Sequence, residues 1–133
     1  MHEPSPTLDR DPIERLRFAL KAAPEDLVCT YIFGSQARGT ARADSDLDLG
    51  LVLAEDPPST LFRVHAYLAE RLAESTGKRV DLTVLNRASP DLVHRVLRDG
   101  ILVLERSRSR RIAFEVAARN AYFDLLSHLQ RDR

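Results

Sequence analysis

Cysteine occurs once in the 133 residues, at position 29, so no disulfide framework holds this chain together. Cys29 falls inside an apolar run and is expected to be a buried, reduced thiol. Net charge is missing too. Twenty basic side chains balance 20 acidic ones, which argues against loose, charge-driven binding to nucleic acid while leaving room for a local basic patch. No stretch approaches the ~18 continuous apolar residues of a membrane span. The start, Met1-His2-Glu3-Pro4, lacks the basic-then-apolar order of a secretory leader. A soluble, cytoplasmic protein is expected. The histidines His65, His94 and His128 show no metal-ligand spacing and read as surface residues. What remains is an ordinary globular composition, 44% hydrophobic and 30% charged, in a length that suits one domain.

Proline and glycine punctuate that length. Residues 1–8 read as a loose arm with Pro4 and Pro6. Asp9 or Asp11 can cap a first helix near Pro12, with Ile13, Leu16, Phe18 and Leu20 as its apolar face, until Pro24 stops it. Leu27 to Phe33 predicts a strand apolar on both faces, ended by Gly34. Ser35 can cap a short helical turn that breaks at Gly39. Asp46 to Leu53 predicts a second strand, with Leu47, Leu49 and Leu51 on one face and Asp46, Asp48 and Gly50 on the other. Asp56-Pro57-Pro58-Ser59 offers a cap for a helix over 60–76 with Leu61, Val64, Leu68 and Leu72 in one stripe, closed by Gly77. Arg79 to Leu85 predicts a third strand, with Asp81 and Thr83 opposite Val80, Leu82 and Val84. A helix opened by Pro90 ends at Gly100, Ile101 to Leu104 predicts a fourth strand, and a last helix runs over about 109–129.

The second and third strands each turn apolar residues to one layer and an aspartate to the other. If they are neighbours, Asp46, Asp48 and Asp81 meet on one sheet face. Three carboxylates at one place repel unless a cation compensates them. Magnesium does so with oxygen ligands, and two such ions serve phosphoryl chemistry. Asp46 and Asp48 suit ligands shared by both metals; Asp81 suits a ligand of the second that also takes a proton from an attacking hydroxyl. A lone Asp-x-Asp also suits a solvated sheet face. The Gly34-Ser35 turn can admit a phosphate to its backbone amides, with charge from Arg38, or can simply reverse the chain.

The ordered string Gly34-Ser35, Ala37-Arg38-Gly39, Ser45-Asp46-Leu47-Asp48, with Asp81 in the next strand, resembles the signature of the DNA polymerase beta-like nucleotidyltransferase superfamily. The short length is similar to its minimal nucleotidyltransferases. The resemblance implies a small mixed sheet with helices mainly on one face and a long C-terminal helix. It also implies Gly34, Ser35, Arg38 and Ser45 at the nucleotide, Asp46, Asp48 and Asp81 at two magnesium ions, and ATP as substrate. Minimal members include antitoxins that pair with a HEPN-type ribonuclease toxin and place AMP on a toxin tyrosine. Neutralisation by binding alone, and transfer to a small molecule or an RNA end, stay open.

The resulting division is an arm over 1–8, a nucleotidyltransferase domain over 9–105 and a helix over 106–133. In that helix Ile112, Val116, Phe123 and Leu126 form one apolar stripe, and Phe114, Ala118, Tyr122, Leu125 and Leu129 a second. One stripe suits the parent domain and the other a partner such as the toxin. Arg108, Arg110 and Arg111 read as a solvated linker or as a patch for an acidic partner surface or RNA, and Tyr67 and Tyr122 as packing aromatics or as acceptors for self-modification.

Overall fold

Each long helix begins or ends where the backbone chemistry allows it. The structure is a computed structural model that describes residues 12–39, 46–55 and 61–131. The arm, the Asp9, Asp11 and Asp56–Ser59 caps, and Ser45 lie outside the described residues. Pro12 opens α1 (Pro12–Leu20), whose fixed φ suits a first helical turn. It leads to β1 (Leu27–Phe33), the single turn α2 (Ser35–Arg38) and β2 (Leu47–Leu53). Then come α3 (Leu61–Thr76), β3 (Val80–Val84), a 3₁₀ turn over Leu85–Arg87, α4 (Pro90–Asp99), β4 (Ile101–Glu105) and α5 (Arg108–Arg131). At α4 the Ser89 Oγ accepts from the Leu92 N–H, and the Gly100 N–H closes the last turn on the Val96 carbonyl.

The sheet order is β3-β2-β1-β4, with β2–β3 parallel and the other pairs antiparallel. Alternation along β2 sends Leu47, Leu49 and Leu51 to one layer, where they bury against Leu16 and Leu20 of α1 and Leu68 and Leu72 of α3. The opposite layer joins Cys29, Tyr31 and Val52 to Val93 and Val96 of α4, with Phe114 and Ala118 of α5 against them. Helix cover therefore extends further than a one-faced sheet: the apolar second face of β1 demands its own lid. Phe18, expected on the inner face of α1, is 73% exposed. Two residues after the buried Leu16 the helix has turned ~200°, which places Phe18 opposite the core.

Three clamps close the structure from a distance. The Asn86 amide pairs with both backbone groups of Leu53, the Arg106 guanidinium caps the end of α1 through the Leu20, Lys21, Ala23 and Pro24 carbonyls, and the Arg17 Nε donates to the Val103 carbonyl. Among the described residues no helix is long and apolar enough to cross a membrane.

Cys29 is fully buried and unpaired. Burial pushes its thiol up to about 11, with the neighbouring Tyr31 hydroxyl pulling the other way. The unfolded chain releases that proton near 9 while the fold retains it. Stability should therefore fall as pH rises from about 9 towards 11. Denaturant midpoints across that window should decline more steeply for the native chain than for Cys29→Ala; equal slopes would refute the burial effect.

Candidate functional site

At the end of β1 the chain has to turn beside its neighbour, and Gly34 makes this feasible. Its φ of 73° and ψ of −149° lie where L side chains are strained. A Cβ placed there would stand 2.5 Å from the Asp48 Oδ2. The turn and the carboxylate thus touch only because position 34 has no side chain. Ser35 begins α2 and Gly34 occupies the cap position without a side-chain hydrogen bond, so the expected Ser35 cap is displaced by one residue. Gly39 closes the turn at φ 72°.

The strand register supplies the second half. Asp48 is abreast of Phe33 in β1 on one side and of Asp81 in β3 on the other. Parallel partners in register carry side chains on the same face, with strands ~4.8 Å apart. Asp48 is half-buried and Asp81 exposed. Asp46 stands one residue ahead of β2, exposed, where the Leu47 N–H is bonded to the Arg79 carbonyl. Further along the same face, Gly50 leaves room for the Leu85 side chain, 2.9 Å from where its Cβ would be.

Among the described residues no group of three or more His, Cys, Asp or Glu side chains is gathered tightly enough to hold a metal ion by itself. Asp48 and Asp81 are thus brought abreast, and Asp46 flanks them rather than closing a three-carboxylate cage. Like charges have reason to stay apart when no cation joins them. A hard cation still fits this donor set: magnesium accepts one or two carboxylates and completes its shell with substrate phosphates and water. The side chain of Arg38 falls outside the described residues, as does Ser45.

One residue of consequence was not visible in the sequence. His65, read as a surface histidine, bonds through Nε2 to the Leu82 carbonyl at 2.9 Å, fastening α3 to β3 beside Asp81. His94 likewise is not merely superficial: it stacks on Tyr122 at 3.7 Å, joining α4 to α5. Tyr122 packs as expected, but Tyr67 is 62% exposed beside Arg71. Arg111 is no linker residue, since it pairs with Glu115 within α5 and with Glu105 at the end of β4.

A 70-residue segment is 39% identical to the protein adenylyltransferase MntA of Shewanella oneidensis, covering 53% of this chain and 48% of that protein. The corresponding figures for MntA of Thermococcus cleftensis are 39% over 72 residues, 54% and 70%. The match thus spans about half the length of the Shewanella relative. A crystal structure of a toxin–antitoxin with AMP-PNP superposes with a TM-score of 0.75 at 25% identity, over 90% of this chain and 93% of that one. The family described as "Polymerase beta, Nucleotidyltransferase" matches residues 16–109, from within α1 to the first turn of α5. Over that span, which is well beyond half of its length, the chain belongs to the polymerase beta nucleotidyltransferase family.

Proposed function

We propose that this chain is an antitoxin nucleotidyltransferase that transfers AMP from Mg-ATP to a tyrosine hydroxyl of a HEPN-type ribonuclease toxin and so neutralises it. One observation carries the reading: a glycine turn lies against Asp48, and Asp48 is in register with Asp81. Phosphate-binding backbone and paired carboxylates thereby share one end of the sheet. The adenylyltransferase relatives and the AMP-PNP complex favour ATP and a protein acceptor.

In this scheme the Gly34-Ser35 amides hold the outer phosphates, with Arg38 and Ser45 as further nucleotide contacts. Asp46 and Asp48 would hold magnesium, with Asp81 completing the acidic set. When bound, magnesium offsets charge on the triphosphate and on the leaving group. Asp81 accepts the proton as the tyrosine oxygen attacks the α-phosphorus. A new phosphate ester forms, the bond to the β-phosphate breaks, and pyrophosphate leaves. The protein's part is to align the attack and to pre-place charge where it develops.

The test is to incubate the chain with magnesium, α-labelled ATP and a HEPN-type ribonuclease toxin, and to map adducts by mass spectrometry. AMP on a toxin tyrosine, lost with EDTA, is expected. A toxin silenced without any adduct would mean neutralisation by occlusion, and label on RNA or a small molecule without toxin would redirect the substrate.

A further inference from the structure

The last helix ends on the same side of the sheet as the carboxylates. Arg110 and Phe114 of α5 line a cleft with Val28, Val52 and Leu53, at the end of β1 and β2 remote from Phe33 and Asp48. From there α5 runs alongside α4. Tyr122 stacks on His94, and Phe123 shares a cleft of about 360 Å³ with Leu97 and Arg98. The α4 helix stops at Gly100, where a Cβ would stand 3.0 Å from the Ile32 carbonyl, beside Phe33. The 24 residues of α5 extend about 36 Å, against about 23 Å for the seven residues of β1. The excess emerges at the Asp48 end.

Exposure along the helix records where the support ceases. Phe114, Ala118, Tyr122 and Leu125 of the domain-facing stripe are half-buried, whereas Leu129, next on that stripe, is 57% exposed. The domain ends before reaching Leu129. The other stripe is open throughout: Ile112, Val116, Phe123 and Leu126 are all exposed, Phe123 at 56%. At ~100° per residue, Arg108 and Arg119 fall on this same stripe. Both are exposed, and among the described residues no ion pair engages either of them.

We propose that the Ile112–Val116–Phe123–Leu126 stripe and the overhanging last turn of α5 are the docking surface for the acceptor protein. Its complement is an apolar helical face carrying carboxylates that meet Arg108 and Arg119. This rests on the preceding reading that the acceptor is a protein. Charge selects the occupant: a second copy paired two-fold and antiparallel along the stripe would set Arg119 against its own copy, whereas an acidic face pairs with both arginines. Place selects it too, because a protein seated on the overhang lies at the end of the sheet where the turn and the aspartates are.

The experiment measures binding and transfer separately, using the HEPN-type toxin and a fluorescent ATP analogue. Phe123→Ala with Leu126→Ala should weaken toxin binding at least tenfold and raise the KM for toxin by the same factor, with analogue affinity unchanged. Arg119→Ala should flatten the salt dependence of toxin binding. The Asp46→Asn, Asp48→Asn chain should keep full toxin affinity. Native affinity in the Phe123/Leu126 variant, no toxin binding by the native chain, or a native homodimer dissolved by that variant would each overturn the docking surface. Intact binding without transfer by the native chain would instead sink only the catalytic reading.

Discussion

Asp46→Asn combined with Asp48→Asn should lower AMP transfer by at least about a thousandfold, equivalent to ~4 kcal/mol of transition-state stabilisation. The amides keep the shape of the side chains but remove the negative charge that holds a hard cation. The fold should not suffer. Asp46 is exposed, and asparagine keeps the size of the Asp48 side chain and its capacity to accept a hydrogen bond. The double variant should therefore still unfold in one cooperative thermal transition. Labelled-ATP assays and a thermal melt on the same preparation test both halves. Transfer at the native rate would refute the site assignment, and a collapsed melt would show that these carboxylates support structure instead.

Gly34→Ala is the second large effect. Its backbone conformation costs an L residue about 1–3 kcal/mol, and the new methyl would stand 2.5 Å from the Asp48 Oδ2. Asp48 must move or the turn must open, and either displaces a carboxylate from the phosphate-binding backbone. A displacement near 1 Å at a reacting centre costs about a hundredfold, so transfer should fall by at least that. Gly39→Ala is the control. It carries φ of 72° but has nothing within 4 Å of the added Cβ. It should lose about 1 kcal/mol of stability and retain transfer. Equal activity losses in both variants would mean that backbone strain, not contact with Asp48, governs the turn.

The boundaries were legible because they are local. Pro12, Pro90, Gly34, Gly39 and Gly100 act on their own backbone, and the structure begins or ends elements at or beside each of them. The sidedness of β2 was legible for the same reason, since alternation needs no knowledge of neighbours. The register of Asp48 with Asp81 was not, because period-two patterns in two strands do not reveal which strands adjoin. Clamps across long separations were invisible as well. Nothing local marks His65 as the partner of the Leu82 carbonyl, or Asn86 as the partner of Leu53. Phe18 misled for a different reason: its hydrophobicity suited the core, but its angular position did not.

β1 lies between β2, which follows it closely, and β4, which comes about 70 residues later. Arg106, just past β4, completes the end of the helix that precedes β1. Synthesis on the ribosome therefore exposes an interior strand long before its second neighbour exists. A nascent chain halted ahead of Ile101 would present one unpaired edge of β1 and leave carbonyls of the first helix unanswered, a template for unwanted association. Closure of the sheet has to wait for its last strand, so a chaperone bound to the emerging polypeptide would act during that interval.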